Sequence, residues 1–465
     1  MSKLSSTPSE IVIIGGGVLG LSTACALVQR PQYSNSSITI LEAAPAVPNG
    51  QGASVDTSRI LRADYAIKPY TRLVTAAREK WQDVSHDGWG GEGRYHDAKL
   101  LLTAEPGTEG HVDGYLEESL ENLKELAQSG EYAFKPQDLR ELSDRNAVAR
   151  ESLAPGCSGN FGYVNDQCGW VNAEACVKYA YQKARRLGES RFKVRTNTRV
   201  KQLLYQTNGK HLGGGVRCTG VELLDGSCVD ADLVIVAAGA WTPSLVDVQG
   251  RAAATGQVLA YMPISTSEQK ALDASPIYFN VSRGMFMLPP HNNELKVGRH
   301  GFGYQNPTKM TIPRPTPENP NQFVETTVSA PRTDLPIPAE AEKACKDFLL
   351  EMFPSWKNRS FSKTRVCWYC DTPTGDFLVD YVPHSSGLFL ATGDSGHAFK
   401  VFPIIGDKIA DAIEGKLDPE LQDLWRWKTD APNTFQGTDD GTRGGRRGMI
   451  LEQERRGHGQ VAGRI

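Results

Sequence analysis

The sequence predicts an α/β chain, α+β overall, built from two units that share interleaved stretches of chain. Three observations predict it. A strand, a glycine turn, a helix and a second strand follow one another within the first 42 residues. Two strongly apolar runs far downstream, 233–238 and 388–392, each lead into a glycine. The stretch between them, 257–297, reads as β-rich.

Each element has its own local reason. Residues 11–14 are apolar and β-branched, Gly15-Gly16-Gly17 forces a turn, 18–30 carries helix formers, and 38–41 is a second apolar run ending on Glu42. Residues 49–53 form a Gly/polar loop. The spacing of Leu73, Val74, Ala77 and Trp81 predicts a helix over 69–84. Helices are also predicted over the Glu-rich 116–127, over 173–187 and over 404–414, and strands over 200–204 and 220–224. The Pro-rich 308–338 reads as an extended crossing loop, and the Gly/Arg-rich tail from Thr434 onward as loosely ordered.

Composition removes several classes of function. With 465 residues, 39% hydrophobic and 23% charged, the chain has ample material for a core. Its 51 Lys+Arg against 54 Asp+Glu leave no electrostatic argument for nucleic acid or a membrane surface. No apolar run approaches the ~20 residues of a membrane helix. The nine cysteines are odd in number and scattered, unlike a secreted disulfide scaffold. The N-terminus has no apolar signal core, and Gly463-Arg464-Ile465 is unlike the peroxisomal Ser-Lys-Leu type. The expectation is a reduced, cytoplasmic monomer.

Gly15, Gly17 and Gly20 make G-x-G-x-x-G between a strand and a helix. The first glycine permits the tight turn, the second the approach of a pyrophosphate, the third close packing of helix on strand. Free N–H groups at the helix start, with Val18 and Leu19, face the phosphates. Glu42, 22 residues after Gly20, can accept both ribose hydroxyls. The motif does not separate NAD from FAD. The glycines after the two later apolar runs, Gly239 before Trp241 and Gly393 before Ser395, Gly396 and His397, bring distant chain back to the cofactor, as is usual in flavoproteins.

Three further segments carry a resemblance: Asp56-Thr57-Ser58-Arg59-Ile60-Leu61-Arg62, Leu295-Lys296-Val297-Gly298-Arg299-His300, and Cys367-Trp368-Tyr369-Cys370-Asp371-Thr372-Pro373 with the later Lys400. Over roughly residues 8–430 the chain resembles the monomeric sarcosine oxidase family of FAD-dependent amine oxidases, most nearly its fungal saccharopine, pipecolate and fructosyl amino acid oxidase members. Trp425-Arg426-Trp427 is similar to the fructosyl branch.

The resemblance implies FAD bound to Cys367 through sulfur, with Val200 among its contacts. It implies Arg59 against the flavin, Lys296 promoting reaction with oxygen, His300 in the site, and Arg62 with Lys400 on the substrate carboxylate. One extra residue, Ser58, precedes Arg59 relative to the family pattern. Periodicity alone would place Lys296 on the solvent face of an edge strand and Lys400 on the surface. The Cys367/Cys370 spacing alone would also admit metal or dithiol chemistry.

The implied layout is a Rossmann-like FAD domain from 1–92, 158–242 and 366–430, a mixed β-sheet substrate domain from 93–157 and 243–365, and a flexible tail, 431–465. The implied reaction is oxidation of a secondary amino acid by hydride transfer to flavin N5, giving an imine and, with oxygen, hydrogen peroxide. Its partners are a small amino acid and oxygen. Three rivals stay open: a dehydrogenase with another acceptor, an oxidase of an N-methylated or cyclic intermediate in natural-product biosynthesis, and a non-catalytic flavin binder. Tyr261, Tyr278, Phe286 and Tyr304 are candidates to shape the pocket.

Overall fold

The computed structural model describes residues 6–107, 112–207, 215–333 and 335–456. The tripeptide Gly463-Arg464-Ile465 lies outside them. The first strand, Glu10–Ile14, is central in a six-stranded sheet, flanked by Ser37–Leu41 and Leu233–Val236. Phe192–Arg195 continues that sheet on one side, and Leu388–Thr392 followed by antiparallel Leu378–Tyr381 on the other. All other neighbours in it are parallel, so both faces need cover, and the inner strands are mostly apolar and buried.

Helix Val18–Gln29 lies on one face and is buried on nearly every side, because helices Ala173–Gly188 and Phe402–Glu414 pack against it. Ser22 fastens the last of these, its Oγ donating to Phe402 O and accepting from Gly406 N, each at 2.8 Å. Helix Phe402–Glu414 is thereby tied to the first helix. The other face is covered by an antiparallel meander, Val200–Thr207, Val216–Leu223 and Cys228–Asp230.

A ten-stranded mixed sheet forms the second layer system. Its path runs Lys363–Asp371, Ala253–Pro263, Glu294–Gln305, Met285–Met287, Ile277–Asn280, Tyr95–Ala104, Phe161–Val171 and Arg59–Leu61. Arg59–Leu61, Phe161–Val171 and the Cys367 end of Lys363–Asp371 belong to this sheet, although the expected ranges put them in the cofactor domain. They are where the two units join.

Two expectations are corrected. Within 308–338 the chain forms a β-hairpin, Pro307–Pro313 paired with Phe323–Ser329, because the prolines cluster at its ends and turn and leave the ladder intact. The tail is not loose over the described part of 431–465. Met449–Ile450 pairs with Tyr304 and Gln305, Gly444 bridges to Gly301, and Thr438, Thr442, Arg443 and Met449 are buried. A glycine is needed at 444, since a Cβ there would lie 2.0 Å from the Arg283 carbonyl carbon. Arg443 in this tail is buried through ion pairs, whereas Arg446 and Arg447 are exposed. Among the described residues no helix is long and apolar enough to cross a membrane.

Candidate active site

The glycine turn joins Glu10–Ile14 to the first helix. Gly15 has φ +107°, and a Cβ on Gly20 would lie 2.0 Å from Gly15 O, so neither position accepts a side chain. Gly17 is the N-cap and offers no side chain to the helix N–H groups; Val18 N donates to Ser54 Oγ at 3.0 Å. Leu19 and Gly20 continue the buried first turn. Glu42 is buried at the end of the second strand, accepting from Gly16 N at 2.9 Å, Ala44 N at 2.9 Å and Asn49 Nδ2 at 3.0 Å. Three of its roughly four lone-pair sites are filled. Val200 lies beside it, two residues after Thr198, whose N donates to Glu42 O at 2.8 Å. Gly239 and Trp241 begin the turn after Leu233–Val236, and Gly393 with φ +71° begins the one after Leu388–Thr392. These residues cluster around the carboxyl ends of the parallel strands, where open α/β sheets bind nucleotides. A glycine-capped helix N-terminus, a side-chain-free turn and an acid at the next strand fit a dinucleotide.

A cleft enclosing about 1040 Å³ of atom-free space, part of it open to solvent, lies between the two sheets. The structure brings Arg59, Arg62, Lys296, His300, Cys367, Ser395, Gly396, His397 and Lys400 to its walls. Strand alternation explains much of this. Lys296 and His300, four apart on one strand, share a face, whereas Val297 packs into the core behind. Cys367 and Cys370, three apart on a strand, face opposite ways: Cys367 meets the cleft and Cys370 a separate apolar cluster. Burial pushes the Cys370 thiol up to about 12. Their opposed faces rule out use as a pair.

At one end of the cleft, Asp56 receives two cations. Lys296 Nζ lies 2.6 Å from Asp56 Oδ2 and donates to Ser58 O at 2.7 Å; Arg59 donates to Asp56, to Ser58 O at 3.0 Å and to Ala53 O at 2.7 Å. Ser58, the extra residue, thus supplies a carbonyl shared by both. Tyr261 OH donates to Asp56 at 2.6 Å. Burial works to raise the Asp56 carboxyl, but Lys296 and Arg59 together hold it below the usual range. Burial brings Lys296 down to about 8, against the pull of Asp56.

At the other end, Arg62 donates through Nη1 to Asp64 O and to Tyr115 OH, the latter at 2.9 Å. Its guanidinium lies 5.4–5.8 Å from the ring centroids of Tyr65, Tyr115 and Phe279. Nε and Nη2 have no hydrogen-bond partner among the described residues. Lys400 Nζ donates to Tyr65 OH at 2.7 Å, and Tyr65 OH lies 3.1 Å from His397 Nδ1. His397 Nε2 is 2.8 Å from Gly375 O, a pure acceptor, so Nε2 carries the ring proton and Nδ1 accepts from Tyr65. Burial and the Lys400 cation lower His397 to about 3. Burial, then Arg62, push Lys400 well below the usual lysine range.

Of the four pocket-shaping candidates, Phe286 alone lines the cleft. Tyr261 is spent on Asp56, Tyr278 donates to Ser158 O, and Tyr304 donates to Glu340 on the far face of the sheet. Sequence reasoning missed Asp56, Tyr65, Tyr115, Asp440 and Thr442. The first opens a matched segment and could have been suspected as counter-charge to a buried lysine.

Cradle and cleft together suit a long dinucleotide whose reactive ring enters the cleft, the layout of a redox enzyme. The chain belongs to the family of FAD dependent oxidoreductases, whose model matches residues 10–412. It is 30% identical to amino acid oxidase imqH of Aspergillus flavus, over 90% of this chain and 98% of that protein. It is 28% identical to L-saccharopine oxidase of Schizosaccharomyces pombe, over 90% and 93%. Among solved structures, fructosyl amine:oxygen oxidoreductase (Amadoriase I) of Aspergillus fumigatus matches with TM-score 0.75 and 27% identity over 97% of both chains. The protein is an FAD-dependent oxidoreductase.

Proposed function

We propose that the protein oxidises the C–N bond of a secondary amino acid, with FAD attached through Cys367 and oxygen as acceptor. The observation that carries the reading is the pair of buried cations, Arg62 and Lys400, set in an aromatic-walled cleft that also holds the Cys367 thiol. Its relatives are amino acid oxidases, and a carboxylate is the anion such a pair would recognise.

FAD, when bound, supplies the two-electron oxidation by accepting hydride from the carbon next to nitrogen. Arg62 offers its free N–H edge to the substrate carboxylate, and Lys400 adds a point charge beside it. The rings of Tyr65, Tyr115 and Phe279 hold Arg62 in place and exclude water. Lys296 fixes a positive charge at the opposite end, where it would stabilise negative charge as oxygen is reduced. Arg59 spans Asp56 and the Cys367 side, its Nη2 lying 3.9 Å from Sγ. The imine product hydrolyses after release.

A peroxide assay over a panel of secondary amino acids and their decarboxylated amines tests the reading. Turnover of the acids with peroxide supports it. Dye reduction without peroxide would assign a dehydrogenase, and preference for the plain amines would remove the carboxylate from the substrate. Acid denaturation tests the attachment: flavin should remain with wild type and with Cys370→Ser and leave with Cys367→Ser.

A further inference from the structure

Residues 438–444 lie beyond the stretch that the family model matches, yet Asp440 and Thr442 line the same cleft. Their hydrogen bonds run in one direction only. Asp440 Oδ1 accepts from Thr442 N at 2.9 Å and from Thr442 Oγ1 at 2.7 Å, while Oδ2 accepts from Arg443 Nε at 3.1 Å. A threonine hydroxyl has a single proton, and a carboxylate is a stronger acceptor for it than an imidazole nitrogen. With that proton committed to Asp440, Thr442 Oγ1 faces His300 Nε2 at 3.0 Å as an acceptor. Nε2 must then carry the ring hydrogen. His300 Nδ1 keeps a lone pair and has no hydrogen-bond partner among the described residues.

We propose that Asp440 and Thr442 are positioning residues that fix His300 as its Nε2–H tautomer, so that Nδ1 presents a lone pair to the N–H of the substrate amine. The assignment rests on the amine-oxidising reading above. A reactive secondary amine is neutral, with one N–H and one lone pair. Giving its N–H to Nδ1 leaves the nitrogen lone pair free to support loss of hydride from the neighbouring carbon. No proton is transferred to the ring.

The charged groups around His300 keep it an acceptor. Burial, then the Arg443 cation, hold its pKa well below the usual histidine range, with Arg62 and Lys400 acting in the same sense and Asp440 opposing them. Arg443 beside Asp440 holds that carboxyl below its own usual range despite burial. Tyr369, at a ring-centroid distance of 6.0 Å, is the remaining titratable ring against His300. Its own pKa lies above the ordinary tyrosine value because of burial.

The direct test is ¹⁵N NMR of the holoenzyme labelled at histidine, with the His300 signal assigned by its loss in His300→Gln. Wild type should show a protonated Nε2 and an unprotonated Nδ1, and Thr442→Ser should keep that tautomer. Asp440→Asn can donate to Thr442 and reverse the relay, and Thr442→Val removes the acceptor; both should shift the tautomer. Both should also lower kcat/KM for the amine by about 5- to 150-fold, the scale of one lost buried hydrogen bond, with flavin content unchanged. An Nδ1–H tautomer or an imidazolium in wild type overturns the proposal, as does a tautomer unmoved in both variants. A correct tautomer in an enzyme that turns over no secondary amine overturns the functional reading and the role of Nδ1, and leaves the relay standing.

Discussion

The two ends of the cleft each hold two cations and treat them differently. Lys296 and Arg59 share the carboxylate of Asp56 and the carbonyl of Ser58. Arg62 and Lys400 have carbonyl and phenol oxygens, and no carboxylate within ion-pair distance among the described residues. The first pair is a finished arrangement, one of its two charges neutralised by the protein. The second is balanced only when an anion enters. Desolvating two cations without a counter-ion is costly, and a protein tolerates it where a ligand offsets the cost. The contrast separates residues that hold a fixed field from residues that bind.

The sharpest way to break the comparison is Asp56→Asn. It keeps the shape and leaves Lys296 and Arg59 as uncompensated as the outer pair, without a ligand to relieve them. Loss of one partner of so buried a set should cost about 3–5 kcal/mol of stability, read from denaturant unfolding of the holoenzyme. An unchanged midpoint would mean that Asp56 does not balance these charges.

Next in size is the outer pair. Arg62→Ala and Lys400→Ala should each cost about 2–4 kcal/mol in kcat/KM for the amino acid and far less for its decarboxylated amine. Because both cations act on one group, the double variant should lose less than the sum. Equal losses on acid and amine would assign them to packing.

The smallest effect is a pH dependence. With Lys296 at about 8, its ammonium is present below that pH and lost above it, so reoxidation of the reduced enzyme by oxygen should slow as pH rises through about 8. Between about 8 and 10.5 the unfolded chain binds the proton that the folded lysine releases, so this residue's contribution to stability rises with pH in that window. Stopped-flow reoxidation in Lys296→Met should be slow and flat across the range; a retained step near 8 would belong to another group.

The dinucleotide turn was legible because its chemistry is local: glycines at fixed offsets, a helix start and an acid at the next strand. Lys296 and His300 were legible only through the family resemblance, since periodicity alone put Lys296 on a solvent face. What failed was face assignment without register. Tyr278 was chosen and its neighbour Phe279 lines the cleft, since one residue's shift on a strand turns every side chain to the other face. Asp440 and Thr442 were hidden for a different reason. Thr442 meets His300 across 142 residues of sequence, and a Gly/Arg-rich composition resembles a solvated tail until Arg443 is seen inside it.

Arg443 sets the order in which this enzyme can be completed. All five of its N–H groups are used: one on Asp440, two on Asp371, one on Gly301 O next to His300, and one on Ser395 O. Three stretches of chain that meet the cleft are riveted by one side chain that follows all of them in the sequence. A ribosome releases the glycine turn, Lys296 and Cys367 well before that side chain exists. Until it arrives, the Asp371 carboxylate, fully buried in the finished molecule, has no cation to justify its burial, so closure of the cleft waits for Arg443.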